Sequence, residues 1–408
     1  MVNTVLKVMR EVLYFLMVMV VLVGCDSKES SEQLAYLNKK SDISNIVTVP
    51  ENFYSLNVTL SRSQENKSAK IEDLITKLVR SKQFNGSVLV SENGNIIYHN
   101  SLGFSDWKKK VPLTDSSSFH LASVSKQFTA MGILMLSEQK KLSLDDDIRI
   151  YLPELPYTDI KIRNLLNHTS GVPNILNYLP NFYCYWDSCE IARNNDLVYI
   201  YKNFQPSIQF KPGNRFSYNN SNYVLLAEII ERVSGQSYES FIENRIFKVL
   251  GMHNSHVYNI HDEGKIRNRV RIYGPYRGGH SADENDLRNG MVGEKGIYAS
   301  AVDLFKWDRA LAKNILVADT TLQKAFDYSF LNNGRRINYG LGWRKVKNEP
   351  DIVYHFGHWR GANTCIIRFI KDNNCIIILN NTSSRRVKYL AQQIISILYE
   401  DKGFAPEF

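Results

Sequence analysis

The spacing of apolar residues changes several times along the chain, and each change marks an element. In "SAKIEDLITKLVRSKQ", from Ser68, apolar residues fall at 71, 74, 75, 78 and 79, the signature of an amphipathic helix. "GSVLVSENGNIIYHNSLGF" follows, with two apolar runs around Asn93-Gly94, a tight hairpin signal. "NYVLLAEIIERVSG" returns to helical spacing and stops at Gly235, a natural C-cap. "SAVDLFKWDRALAKN" repeats it, with Ser300 as N-cap and Asp303 at the capping-box position. Strand-like runs come next in "YGLGWRKV", "DIVYHF", "TCIIRFI" and "CIIILNN", before a last helix in "SSRRVKYLAQQIISILYE". Strands at both ends with helices between predict an α+β fold. Its antiparallel sheet is built from both chain ends (about 68–120 and 290–400), flanked by helices, with a mostly helical inserted subdomain at about 121–289.

The first residues do not fit that frame. Lys7 and Arg10 precede an apolar run from Val12 to Val23. As a helix this run spans about 18 Å, short of the roughly 30 Å hydrocarbon core, so residues 1–24 read as a secretory signal. The run ends Leu22-Val23-Gly24-Cys25, which resembles a bacterial lipobox and implies lipid on the Cys25 sulfur. Residues 25–67 are polar and weakly periodic and read as a tether to a domain at 68–400. The expected location is the bacterial cell envelope, lipid-anchored, periplasmic or outer-membrane-associated.

The net charge of +9 is scattered, with Lys108-Lys109-Lys110 the longest basic run. That pattern fits a solvated surface and argues against a nucleic-acid partner. Cys184 and Cys189 flank "YWDS" and can bridge locally in an oxidising compartment. Cys365 and Cys375 sit on facing strands. With Asp372-Asn373 as the hairpin tip, Cys375 pairs with Ile370 and Cys365 with Asn380, which predicts two buried thiols. No Cys/His group has zinc spacing; His253 and His256 read as loop residues. No metal or organic cofactor is implied.

Ser-x-x-Lys occurs at Ser105, Ser123 and Ser137. Ser105 reads as a loop residue and Ser137 as a solvated helix end. Only Ser123 heads an apolar helix, where Lys126 shares its face. The helix N-terminus favours an alkoxide at Ser123, and a nucleophile needs an activating neighbour.

With that context, the chain resembles the serine beta-lactamase and penicillin-binding-protein superfamily, in its class C and DD-peptidase-like branch. "LLNHTSGVP" (165–173), "FKPGNRFSYNNSNYVLLAEIIERVSGQSYESFI" (210–242), "FKVLGM" (247–252) and "GEKGIYASAVDLFKWD" (293–308) carry the resemblance, which covers roughly residues 70 to 395. It implies a Ser123 acyl-enzyme. Of four Tyr-x-Asn matches, at Tyr36, Tyr98, Tyr201 and Tyr218, the last lies in a family segment. Tyr218 would act as general base and proton shuttle with Lys126, and Asn220 would bond the lysine and a substrate amide. The third motif is His355-Phe356-Gly357: His355 would face Tyr218 as an electrostatic and hydrogen-bonding partner, and Gly357 would admit the substrate to the strand. The N–H groups of Ser123 and His358 would form the oxyanion hole. Many relatives carry a hydroxyl at position 356, which contacts a substrate carboxylate. Phe356 cannot, which tilts the expectation toward ester or amide substrates, with Arg360 as the candidate replacement contact. Beta-lactams and D-amino-acid peptides stay open, and a non-hydrolytic sensor or binding lipoprotein is the rival reading.

Overall fold

The sheet assembles where the two ends of the chain meet. The computed structural model describes residues 49, 54, 59–177, 179, 191–259, 266–276, 279–282, 287–384, 386–404 and 406–408, all within the unit Val47–Phe408. Cys25, the signal segment 1–24, Tyr36, Cys184 and Cys189 lie outside the described residues. From the early part come helix α1 (Arg62–Arg80) and strands β1 (Gly86–Glu92) and β2 (Asn95–Leu102). Asn93 and Gly94 join the strands with φ of 52° and 80°, as the left-handed two-residue turn requires. The middle supplies α2 (Lys126–Glu138), α3 (Asn194–Phe204), α4 (Asn220–Ser234) and α5 (Ala301–Ala312). The late part adds β3 (Arg344–Val346), β4 (Glu349–Trp359), β5 (Ala362–Phe369), β6 (Asn374–Asn380) and α6 (Val387–Leu398). The six strands run in the order β3-β4-β5-β6-β1-β2. Antiparallel pairing of β6 with β1, from Gly86 opposite Asn380 to Ser91 opposite Cys375, joins the two halves.

Both faces of this sheet are covered. Val88, Val90, Ile376 and Ile378 pack in a layer with Ile71 and Ile75 of α1 and Ile394 of α6. Leu89, Ile377 and Leu379 face the other way, into the large core that includes α2, α4 and α5. Burial on both faces explains why the strands read as continuous apolar runs rather than alternating ones.

Local chemistry moves several boundaries. Helix α1 begins at Arg62 rather than Ser68, because Ser61 and Gln64 close a capping box; its first turn is too polar for apolar spacing to register. The β5–β6 hairpin closes with Phe369 opposite Asn374, leaving Ile370 to Asn373 in the turn. Cys365 therefore faces Ile378, and Cys375 faces Arg368. A shift of two leaves each side chain on its own face, and both are buried free thiols. His256 and Ser105 lie on short strands, His256–Val257 and Phe104–Asp106, rather than in loops. Ser300 Oγ accepts from the Asp303 N–H, but the Asp303 carboxylate turns away to accept from Asn254 N and Ser255 Oγ. Among the described residues, no helix is long and apolar enough to cross a membrane.

Candidate active site

Residues 117–136 are all buried except Ser123, which is half-buried. Ser123 sits in a short 3-10 turn, Ala122–Ser125, just ahead of α2, rather than in the helix itself. Ala122 holds φ at 49°, a conformation that costs a residue with a Cβ roughly 1–3 kcal/mol. Three hydrogen bonds hold that turn. Ala122 N donates to His120 Nδ1 at 3.0 Å, Leu121 N to Ile297 O at 2.8 Å, and Thr364 Oγ1 to Leu121 O at 2.7 Å. Burial and the nearby Lys295 and Arg269 charges push His120 down to about 3, so its Nδ1 stays an acceptor. Gly357 makes room for this clamp: a Cβ there would stand 2.3 Å from both Leu121 O and Thr364 Oγ1. The missing side chain thus admits the protein's own nucleophile turn.

The fully buried Lys126 donates from Nζ to Ser123 Oγ at 3.1 Å and to Glu294 O at 2.7 Å. The Glu294 carboxylate lies 3.7 Å away and also pairs with Lys295 at 3.0 Å. Glu294 carries no motif signature; only the quoted "GEKG" segment pointed near it. Lys126 Nζ stands 5.2 Å from the Tyr218 ring centre, and Arg344 Cζ approaches the same ring at 4.9 Å. Tyr218 thus has two cationic side chains against its ring. Arg344 forms no ion pair among the described residues, and it was not singled out from sequence.

Asn220 starts α4 beside Tyr218. It makes no hydrogen bond to Lys126; its Oδ1 is buried without a partner among the described residues. The other described Tyr-x-Asn tyrosines are committed elsewhere: Tyr98 donates to Glu72 and Tyr201 to Pro173 O.

His355 is wholly buried, and its ring centre lies 6.2 Å from that of Tyr218. Its hydrogen bonds run to Tyr339 at 3.2 Å and to Phe356 O at 2.8 Å, not to Tyr218 as expected. The roles resolve into one direction. Asn219 N donates to His168 Nδ1. His168 Nε2 then donates to Tyr339 Oη, Tyr339 donates to His355 Nε2, and His355 Nδ1 donates to Phe356 O. Burial, then neighbouring cations, hold both histidines well below the ordinary imidazole range, and burial raises Tyr339. The chain is neutral. It fixes geometry between the Tyr218 loop and β4, and the charge beside Tyr218 comes from Lys126 and Arg344 instead.

Strand β3 pairs with β4 only as far as Tyr354, so β4 from His355 to Trp359 pairs on one edge, with β5. His358 is exposed, and its ring bonds Asn363 Oδ1 at 2.7 Å. Phe356 points to the opposite face from His355, packing on Tyr354 and Phe408 at 5.4 and 5.7 Å between ring centres. Arg360 occupies the β4–β5 turn, exposed, with φ of 52°.

Comparisons with known proteins identify the family. The Beta-lactamase family model matches residues 71–399. Penicillin-binding protein 4* of Bacillus subtilis strain 168 is 39% identical over 336 residues, covering 78% of this chain and 72% of that protein. Among solved structures, the octameric penicillin-binding protein homologue from Pyrococcus abyssi superposes with a TM-score of 0.69 at 23% identity, over 81% of this chain and 77% of that one. The D-amino acid amidase from Ochrobactrum anthropi SV3, complexed with L-phenylalanine amide, gives 0.67 at 22%, over 84% and 100%. With its sheet joined from both chain ends and its Ser-x-x-Lys turn clamped beneath β4, this chain belongs to the beta-lactamase family, whose fold is that of serine hydrolases.

Proposed function

We propose that the protein is an envelope serine hydrolase that forms an acyl-enzyme on Ser123, and that its substrates are D-amino-acid peptides or amides with a carboxylate near the scissile bond. The observation that carries the reading is the pair of unshared functions at one cleft. Ser123 Oγ is held 3.1 Å from a buried lysine, and a half-buried guanidinium, Arg344, lies against Tyr218 with no acidic partner among the described residues. Ser123 Oγ attacks the carbonyl carbon as its proton passes to the Lys126–Tyr218 pair. The tetrahedral oxyanion is held by the N–H groups of Ser123 and His358. Tyr218 delivers the proton to the leaving nitrogen, the C–N bond breaks, and water hydrolyses the ester by the reverse proton path. Asn220 Oδ1 accepts the substrate amide N–H, and Arg344 receives the carboxylate. Phe356, packed on the far face of β4, does not argue against a carboxylate, and Arg344 takes the role expected of Arg360. The anchor at Cys25 and the envelope location rest on the lipobox alone. Fatty-acid labelling that a Cys25→Ala variant loses is the expected result.

A panel of D-amino-acid amides, carboxylated D-peptides, neutral esters and a cephalosporin tests the assignment. Ser123→Ala should lower turnover by about six orders of magnitude. Arg344→Ala should lower kcat/KM for carboxylated substrates by about ten- to hundredfold more than for neutral esters. Equal losses on both classes remove the carboxylate role. Covalent labelling of Ser123 by a fluorophosphonate without turnover of any substrate favours the sensor reading.

A further inference from the structure

A cavity lies against the segment that carries Gly290 and Val292. Its volume is about 280 Å³, and its walls include Glu228, Glu231 and Glu239, with Arg193 and Asn194 opposite. One buried donor in it lacks a partner, and one largely buried carboxylate faces it unpaired among the described residues. Glu228 is 6% exposed and makes no hydrogen bond or ion pair, whereas its neighbour Glu231 accepts from Tyr238 N at 2.7 Å. Asn194 is 7% exposed. Its Oδ1 accepts from Val292 N at 2.9 Å, but its Nδ2 donor is buried with nothing to donate to. Leaving the Asn194 donor unsatisfied is costly, which a fold tolerates where a ligand completes it.

The complement is readable from the walls. Acceptors in excess on α4 and the Tyr238–Ile242 helix call for an ammonium group. A buried amide donor, with the Arg193 guanidinium at the N-terminal cap of α3, calls for a carboxylate. We propose that this cavity binds a free amino acid, its ammonium on Glu228 and Glu231 and its carboxylate on Asn194 Nδ2 and Arg193.

The wall continues into the active site. Val292, held by Asn194, is followed by Gly293, whose O accepts from Thr129 Oγ1 at 2.6 Å, and by Glu294, whose O accepts from Lys126. Gly293 is wedged on α4, where a Cβ would meet Tyr223 O at 2.4 Å. An occupant therefore bears on the segment that holds Lys126 and should alter turnover.

Calorimetric titration of the full chain with glycine and alanine tests the site, with putrescine and acetate as half-ligands. Saturable binding of the amino acids is expected, with neither half-ligand competing at equal concentration. Ser123→Ala should bind as the wild type does. Glu228→Gln, and Asn194→Asp (which keeps the acceptor for Val292 but loses the donor), should each weaken binding by about ten- to hundredfold. Binding lost on fluorophosphonate blockade of Ser123, or retained in both cavity variants, overturns the site, as does equal binding of putrescine. Saturating glycine should change the hydrolysis rate of the wild type and not of Asn194→Asp. Binding with no rate change overturns the coupling.

Discussion

Glu228 shows how a single side chain exposes a conflict between stability and use. Burial, reinforced by Glu231, lifts its carboxyl to about 7 from an ordinary 4.5. A carboxyl raised on folding binds more protons in the native state, so stability is full below about pH 4.5 and is lost as pH rises through 7. Glu228→Gln should therefore match the wild type near pH 4 and exceed it by about 3 kcal/mol at pH 8. Denaturant midpoints at the two values check this, and equal gains at both would show that packing, not charge, sets the difference. Ser123, Lys126, Tyr218 and Asn220 were legible in the sequence because spacing and flanking pattern mark them. Glu294, Arg344 and Tyr339 were not, since each reaches the site from a distant segment and bears no local signal. His355 was found by motif, but its hydrogen-bond partner was misjudged, because burial cannot be read from three letters.

At the level of elements, β4 and the nucleophile turn form one mechanical unit. Thr364 on β5 stands opposite Gly357 and reaches past it to Leu121. Gly357→Ala would drive a Cβ into that contact. Overpacking of this kind costs about 1–3 kcal/mol, and here it should also displace Ala122 and lower kcat more than it raises KM. Stability and steady-state kinetics measured together test this; a stability loss with unchanged kcat would separate the clamp from catalysis. Elements with long apolar runs and explicit punctuation were predictable: the Asn93-Gly94 hairpin, the stop of α4 at Gly235 and the start of α5 at Ser300. Departures arose where a polar contact set the boundary, as at Ser61 and at the turn from Ile370 to Asn373.

At the scale of the molecule, three wholly buried imidazoles among the described residues are held neutral: His120, His168 and His355. A histidine depressed on folding contributes stability above its unfolded value near 6.5 that is lost as pH falls below it. Each should cost about 1.4 kcal/mol between pH 7.5 and 5.5. Glu228 titrates in the opposite sense over the same range, so the Glu228→Gln background gives the cleaner reading. There the total loss should reach about 4 kcal/mol, and a flat profile would mean that the imidazoles are not neutral. The α+β class and the joining of both chain ends were visible from apolar period alone; the order of strands needed the register of β6 on β1.

That register carries a consequence for how the protein matures. The turn around Ser123 is clamped by Gly357 and Thr364, and its sheet is closed only when β6 reaches β1. Contacts so far apart in sequence form late, since the loop-closure entropy must be met first. A chain still emerging from synthesis therefore has its serine and lysine without the clamp that holds them, and a fragment ending before β6 lacks it altogether. The geometry around Ser123 arrives only with the completed fold.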